Sequence, residues 1–198
     1  MSNKIKYGLK GVHYAIATIT EALGVTSVTY GEPVAMPGAV SLGMEPQGEN
    51  SPFYADNIIY WPGINNNGYE GDLELAVVPD SFKTDVLGYK EDGKGVLVED
   101  ANAAAVHFAL LFQFEGDEKA TRHVLYNCTA ARPAASGNTK GETVEPQTES
   151  LTITATPIWN ATLGTEIVKG STKADTDTTT YSSWFESVHL PTAPSTTP

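Results

Sequence analysis

Glu70, Asp72 and Glu74 are the densest group of side chains able to do chemistry in this sequence of 198 residues. In an extended strand these alternate positions share one face, with Leu73, Leu75 and Val77 on the other. Clustered carboxylates can exchange protons or hold a cation. The partners for either task are missing. Asn65-Asn66-Asn67-Gly68, just upstream, lacks the alternating acids and closing Glu of a calcium loop. His13, His107, His123 and His189 are dispersed, without metal-ligand spacing, and read as packed or interfacial residues. Cys128 lies in a strand-like run with Val124 and Tyr126 expected on its face, which predicts a buried thiol and no base to activate it. No nucleophile elbow, phosphate-binding loop or dinucleotide fingerprint occurs. The sequence therefore reads as a non-enzyme without cofactor or metal, and the acidic stripe as a solvated surface.

The distribution of charge sharpens that reading. The chain carries 24 acids against 12 bases, a net charge of −12. Lys4, Lys6 and Lys10 make the first ten residues basic, whereas residues 11–82 contain no Lys or Arg and nine acids. Such a surface repels phosphate backbones, so ordinary nucleic-acid binding is disfavoured. One cysteine excludes an internal disulfide. No apolar run follows the basic start, so no secretory signal is expected and the sequons at Asn127 and Asn160 carry little weight.

The elements that must position these residues are mostly strands. Val12–Thr20, Val25–Tyr30, Ala39–Met44, Phe53–Trp61, Glu70–Val78, Val106–Phe114, Thr121–Ala130 and Leu151–Thr156 are rich in β-formers or alternate in polarity. Val106–Phe114 and Thr121–Ala130 form a hairpin about the turn at Glu115–Lys119. One short helix starts at Asp80 or Ser81 and stops at Gly88, presenting Phe82, Val86 and Leu87 to the sheet. Gly170–Thr180 is polar and threonine-rich, and Tyr181, Trp184, Phe185, Val188 and Leu190 read as a docked segment. The expected fold is mainly β: an antiparallel sandwich or barrel with one flanking helix, a single domain over 1–190. Residues 1–10 form a basic N-terminal arm and 191–198 a flexible tail.

Several stretches occur in an order that carries a resemblance. They are Lys6-Tyr7-Gly8-Leu9-Lys10-Gly11-Val12-His13-Tyr14-Ala15, Pro37-Gly38-Ala39-Val40-Ser41-Leu42 and Phe53-Tyr54-Ala55-Asp56-Asn57. Gly68-Tyr69-Glu70-Gly71-Asp72-Leu73-Glu74, Val78-Pro79-Asp80-Ser81-Phe82 and the run from Lys119 to Pro133 follow. Over roughly residues 4–156 the chain resembles the major tail proteins of long, non-contractile-tailed bacteriophages of Gram-positive bacteria. The resemblance implies a structural virion protein, assembled in the host cytoplasm into hexameric rings that stack into a tail tube. It implies as partners other copies of the chain, a tape measure protein inside the tube, and terminator and distal initiator proteins at its ends. It further implies that DNA passes through the lumen without specific binding.

Geometry agrees with many copies. A tube wide enough for duplex DNA needs on the order of 15–20 strands at the usual strand spacing and tilt, more than one chain of this length supplies. On this reading Glu70, Asp72 and Glu74 are candidate lumen residues that keep DNA from adhering. Lys4, Lys6 and Lys10 are candidate inter-subunit contacts that pair with a neighbour's acids. The alternative is a β-sandwich binding module for sugars or a host surface, with Tyr60, Trp61 and Tyr69 as stacking platforms.

Overall fold

The computed structural model describes residues 3–22, 25–140, 143 and 145–193, and the protein is mainly β. Strands β1 (Lys6–Ala22), β2 (Val25–Tyr30), β3 (Val34–Ala35) and β4 (Ala39–Gln47) come first. A small hairpin of β5 (Phe53–Ala55) and β6 (Ile58–Trp61) leads to β7 (Gly68–Leu75) and helix α1 (Asp80–Asp85). The short pair β8 (Lys90–Glu91) and β9 (Leu97–Val98) precedes the long hairpin β10 (Phe108–Gly116) and β11 (Thr121–Ala130). After β12 (Glu149–Ala155) come the pair β13 (Ile158–Asn160) and β14 (Thr165–Ile167), then β15 (Lys169–Ser171). Helix α2 (Thr178–Ser182) and a 3-10 turn (Ser183–Phe185) close the described chain.

The main sheet is antiparallel, in the order β2-β1-β10-β11-β12-β7-β4, with β3 added to β1 and β15 to β11. It curls strongly: β4, at one end of that order, comes against β1 near the other. Tyr14, Phe108, Leu110, Leu125, Ile153, Leu73 and Leu75 meet inside the curl, and Phe82 of α1 joins them. Three rings stack edge to face there, Tyr14 on Phe82 and Phe82 on Phe108. At about 25 cal/mol per Å² of buried apolar surface, this cluster is the main source of stability.

The outside of the sheet is divided. Across β1, β10 and β11 it carries a second apolar layer of Ala15, Ala109, Leu111, Val124 and Tyr126, with Ile158 and Trp184 packed over it. β10 is therefore buried on both faces along Phe108–Phe112, as a near-continuous apolar strand must be. Across β12, β7 and β4 the outward residues are polar and uncovered.

Several expectations need correction. Phe53–Trp61 is two strands joined by a tight turn, with Asp56 and Asn57 both at positive φ as a type I′ turn requires. Val77 is 62% exposed because β7 ends at Leu75; Val78 turns inward instead. Pro79, not Asp80 or Ser81, precedes the first turn of α1, and no side chain caps it. Cys128 is buried, yet Val124 and Tyr126 face the other way. One extra residue in β11 lies between the pairs Leu110–Leu125 and Phe108–Cys128, and this bulge inverts the alternation. Leu190 is 43% exposed, whereas Trp184 is buried.

The first ten residues are not a separate arm. From Lys6 onward they are strand, paired in register with Gln113–Gly116. Asn3 anchors the start: its Oδ1 accepts from the Glu118 and Lys119 amides and its Nδ2 donates to the Lys119 carbonyl. Met1, Ser2 and, of the tail, residues 194–198 lie outside the described residues.

Candidate functional site

The uncovered outer face of β12, β7 and β4 is where the sequence-predicted acids stand. β7 alternates as its pattern requires: Leu73 and Leu75 are fully buried, and Glu70 and Asp72 point out. Register lines the strands up in rows. Ser41, Glu74 and Ser150 form one row; Gly43, Asp72 and Thr152 the next; Glu45, Glu70 and Thr154 the third. Thr129 of β11 extends that third row. The structure thus adds Glu45, a fourth carboxylate that sequence reading missed because the β4–β7 pairing is non-local.

Hydroxyls hold the acids flat. Ser41 donates to Glu74 Oε2 at 2.8 Å and Thr148 to Glu74 Oε1 at 2.6 Å. Thr152 donates to Asp72 Oδ1 at 2.7 Å. The Thr148 and Ser41 hydroxyls keep the Glu74 carboxyl below its ordinary pKa, since a hydrogen bond to the charged form favours it. Gly71 lets the strands approach: a Cβ there would lie 1.8 Å from the Gly43 carbonyl oxygen. With no side chain at Gly43 either, the face dips into a shallow groove of about 540 Å³ over Gly43 and Asp72. β4, β7 and β12 contain no Lys or Arg.

Directly opposed like charges, such as Glu45 and Glu70, weaken a strand pair by up to about 1 kcal/mol. The face is therefore not optimised for the stability of one chain. It ends at β4, whose outer edge has no strand partner among the described residues.

The three lysines are placed elsewhere, and the side chains of Lys6 and Lys10 are engaged within their own chain. Lys10 Nζ lies 2.5 Å from Glu115 Oε1, Lys6 Nζ stands 4.9 Å over the Phe114 ring, and the Lys4 amide donates to Asp117. The Glu115 contact raises the Lys10 pKa.

A second feature was foreseen only in part, through Tyr60 and Trp61. The β5–β6 hairpin and its flank expose Phe53, Tyr54, Ile58, Ile59, Tyr60, Trp61 and Ile64, all between 56% and 78% accessible. Apolar side chains occupy consecutive positions and so cover both faces. The signal in the sequence was the absence of alternation on either side of Asp56-Asn57. Tyr69 is not part of this patch: it packs on the core, with Lys169 Nζ 5.5 Å over its ring.

Of the histidines, His13 stacks on Phe185, His189 on Trp184, and His107 hydrogen-bonds Asn127. His123 stacks on Phe112 and meets the edge of Phe114, its Nδ1 buried without a partner among the described residues. Burial pushes its pKa down to about 4, with Lys169 and Lys6 adding to the effect. Burial pushes the Cys128 thiol up to about 12, so it is not a nucleophile at neutral pH. No helix among the described residues is long and apolar enough to cross a membrane.

The chain matches no protein-family model, and no curated protein matches it.

Proposed function

We propose that the chain is the repeating subunit of a bacteriophage tail tube, six copies to a ring, with rings stacked end to end. The observation that carries this reading is the face of β12, β7 and β4: acidic, free of cations, uncovered, and bordered by an unpaired strand edge. Placed on the inside of a ring, its four carboxylates per copy give a negative wall along which DNA slides without adhering. Neighbouring chains joined at sheet edges remove the unpaired edge, which otherwise invites uncontrolled pairing. The exposed hairpin supplies a contact between copies. At 150–250 Å² per aromatic side chain when fully buried, its accessible apolar surface is on the order of 800 Å², the contribution of one partner to a standard interface. Ring contacts close by rotation and axial contacts stay open-ended, which yields a tube.

The role is structural and non-enzymatic, located in the virion after assembly in the host cytoplasm. A tape measure protein fills the lumen before DNA passes, and terminator and initiator proteins cap the ends; these partners follow from the family resemblance. The binding-module reading keeps Tyr60 and Trp61 as platforms but loses Tyr69, whose ring Lys169 already covers. Negative-stain electron microscopy of concentrated protein separates the two. The tube reading expects rings or tubes, alone or seeded by an initiator complex. Protein that stays monomeric under both conditions overturns it.

A further inference from the structure

Asn67–Gly68 is the one Asn–Gly step in the sequence. Such a step is chemically labile because glycine leaves its amide nitrogen unhindered for attack on the preceding side chain. The fold requires glycine there. Gly68 has φ 102°, and a Cβ on it would lie 1.9 Å from the Ala155 carbonyl oxygen. Asn67 is exposed, and Gly68 is the first residue of β7. Both amides of the step are held: Asn67 N–H donates to the Gln47 carbonyl at 2.9 Å, and Gly68 N–H donates to Asn66 Oδ1 at 3.1 Å.

We propose that Asn67 is a latent site of spontaneous deamidation and that the Asn66 side chain guards it. In the reaction, the Gly68 nitrogen attacks Asn67 Cγ and forms a new C–N bond. The bond from Cγ to the side-chain nitrogen breaks, and ammonia leaves with the proton that Gly68 gives up. Water then opens the cyclic imide at either carbonyl, to aspartate or isoaspartate. The first step needs the Gly68 proton removed and its nitrogen turned toward Cγ. Asn66 Oδ1 holds that proton and fixes the amide plane, and the bond to Gln47 pins the other side of Asn67.

The lesion would fall on the acidic face. Isoaspartate adds a methylene to the backbone immediately before Gly68, where the Ala155 carbonyl leaves no room, and so displaces β7 against β4 and β12. Glu70 and Asp72 lie two and four residues further on.

The test incubates full-length wild type, Asn66→Ala and Asn66→Asp at mildly alkaline pH and follows the 67–68 peptide by mass spectrometry. Asp92–Gly93 can also isomerise, but without a mass change, and fragment ions place the gain from NH2 to OH on Asn67 rather than on the adjoining Asn65 or Asn66. Folded Asn66→Ala should deamidate about tenfold faster than folded wild type, equivalent to about 1.4 kcal/mol, the net value of one hydrogen bond. Asn66→Asp, which keeps the acceptor, should restore the wild-type rate. Equal rates for Asn66→Ala and wild type, or an Asn66→Asp as fast as Asn66→Ala, overturn the assignment. Should Asn66→Ala not fold, amide exchange in wild type decides. A protected Gly68 N–H supports the guard, and exchange at the free-peptide rate refutes it.

Discussion

Glu70→Lys should make the isolated chain more stable and, on the tube reading proposed above, make the assembled tube worse at conducting DNA. Glu70 sits opposite Glu45 in the antiparallel β4–β7 pair, both exposed, so the substitution removes no packing. Opposed like charges cost and opposed unlike charges gain roughly 0.2–1 kcal/mol each, so reversing one sign is worth about 1 kcal/mol. For a chain of 150–250 residues that is a rise of about 2–4 °C in Tm. The gain should be largest at low ionic strength, where the screening length is about 30 Å, and should nearly vanish at 1 M salt, where it is about 3 Å. Calorimetry across a salt series reads this directly. On the tube reading, a lysine in every copy would put rings of cations on the lumen wall, and genome ejection should slow while tails still form. A lowered Tm, or a rise independent of salt, would refute the electrostatic account of the face. Ejection at the normal rate would remove it from the lumen.

The other expectations follow from the N-terminal strand and His123. Deleting residues 1–10 strips Gln113–Gly116 of their β1 partners and removes Asn3 from the β10–β11 turn; circular dichroism should show a marked loss of thermal stability. A truncated chain that melts like wild type would mean this end of β1 is dispensable to the fold. His123 is held neutral, its folded pKa of about 4 lying below the ordinary 6.5. Its contribution is therefore complete above pH 6.5 and is lost as pH falls toward 4, where the unfolded chain binds the proton that the folded one refuses. Discounted for partial solvent access, the loss is about 1–2 kcal/mol. His123→Phe should flatten that part of the stability–pH curve, and an unchanged slope in acid denaturation would contradict the assignment.

What was legible in the sequence was what short-range pattern encodes. The limits of β2 and β11 are visible as runs of β-formers, and the alternation of β7 because one buried face selects every second residue. Three things were not legible, each for a reason. The lysines of residues 1–10 gave no hint of their partners, since Glu115 and Phe114 lie about a hundred residues away in sequence. The orientation of Cys128 depends on a bulge, and one extra residue inverts every side chain beyond it. Glu45 became part of the acidic face only when β4 paired with β7. The apolar run Phe53–Trp61 read as one strand, and exposure of the whole run, beyond the platform rings Tyr60 and Trp61, became visible only with the fold in hand.

The difference between the two halves of the sheet was nevertheless written in residue types. β10 is apolar at consecutive positions and is covered twice; β7 and β12 alternate and are covered once. A strand that alternates declares a side meant for water. Here that water-facing side carries charges of one sign placed opposite each other, against the interest of the single chain. It also ends in a nine-residue strand with one edge unpaired among the described residues. Pro46 near the end of that strand and Glu45 beside it blunt the edge without blocking its whole length, since proline offers no amide and charge repels a second acidic edge. Under the tube reading this balance has a purpose. One edge contact opposed by charge repulsion is too weak to hold two free copies together. It becomes sufficient only when an existing ring presents several contacts at once and raises the effective concentration of the incoming chain. Repulsion that costs the monomer stability would in that way confine growth to the end of a tube already begun.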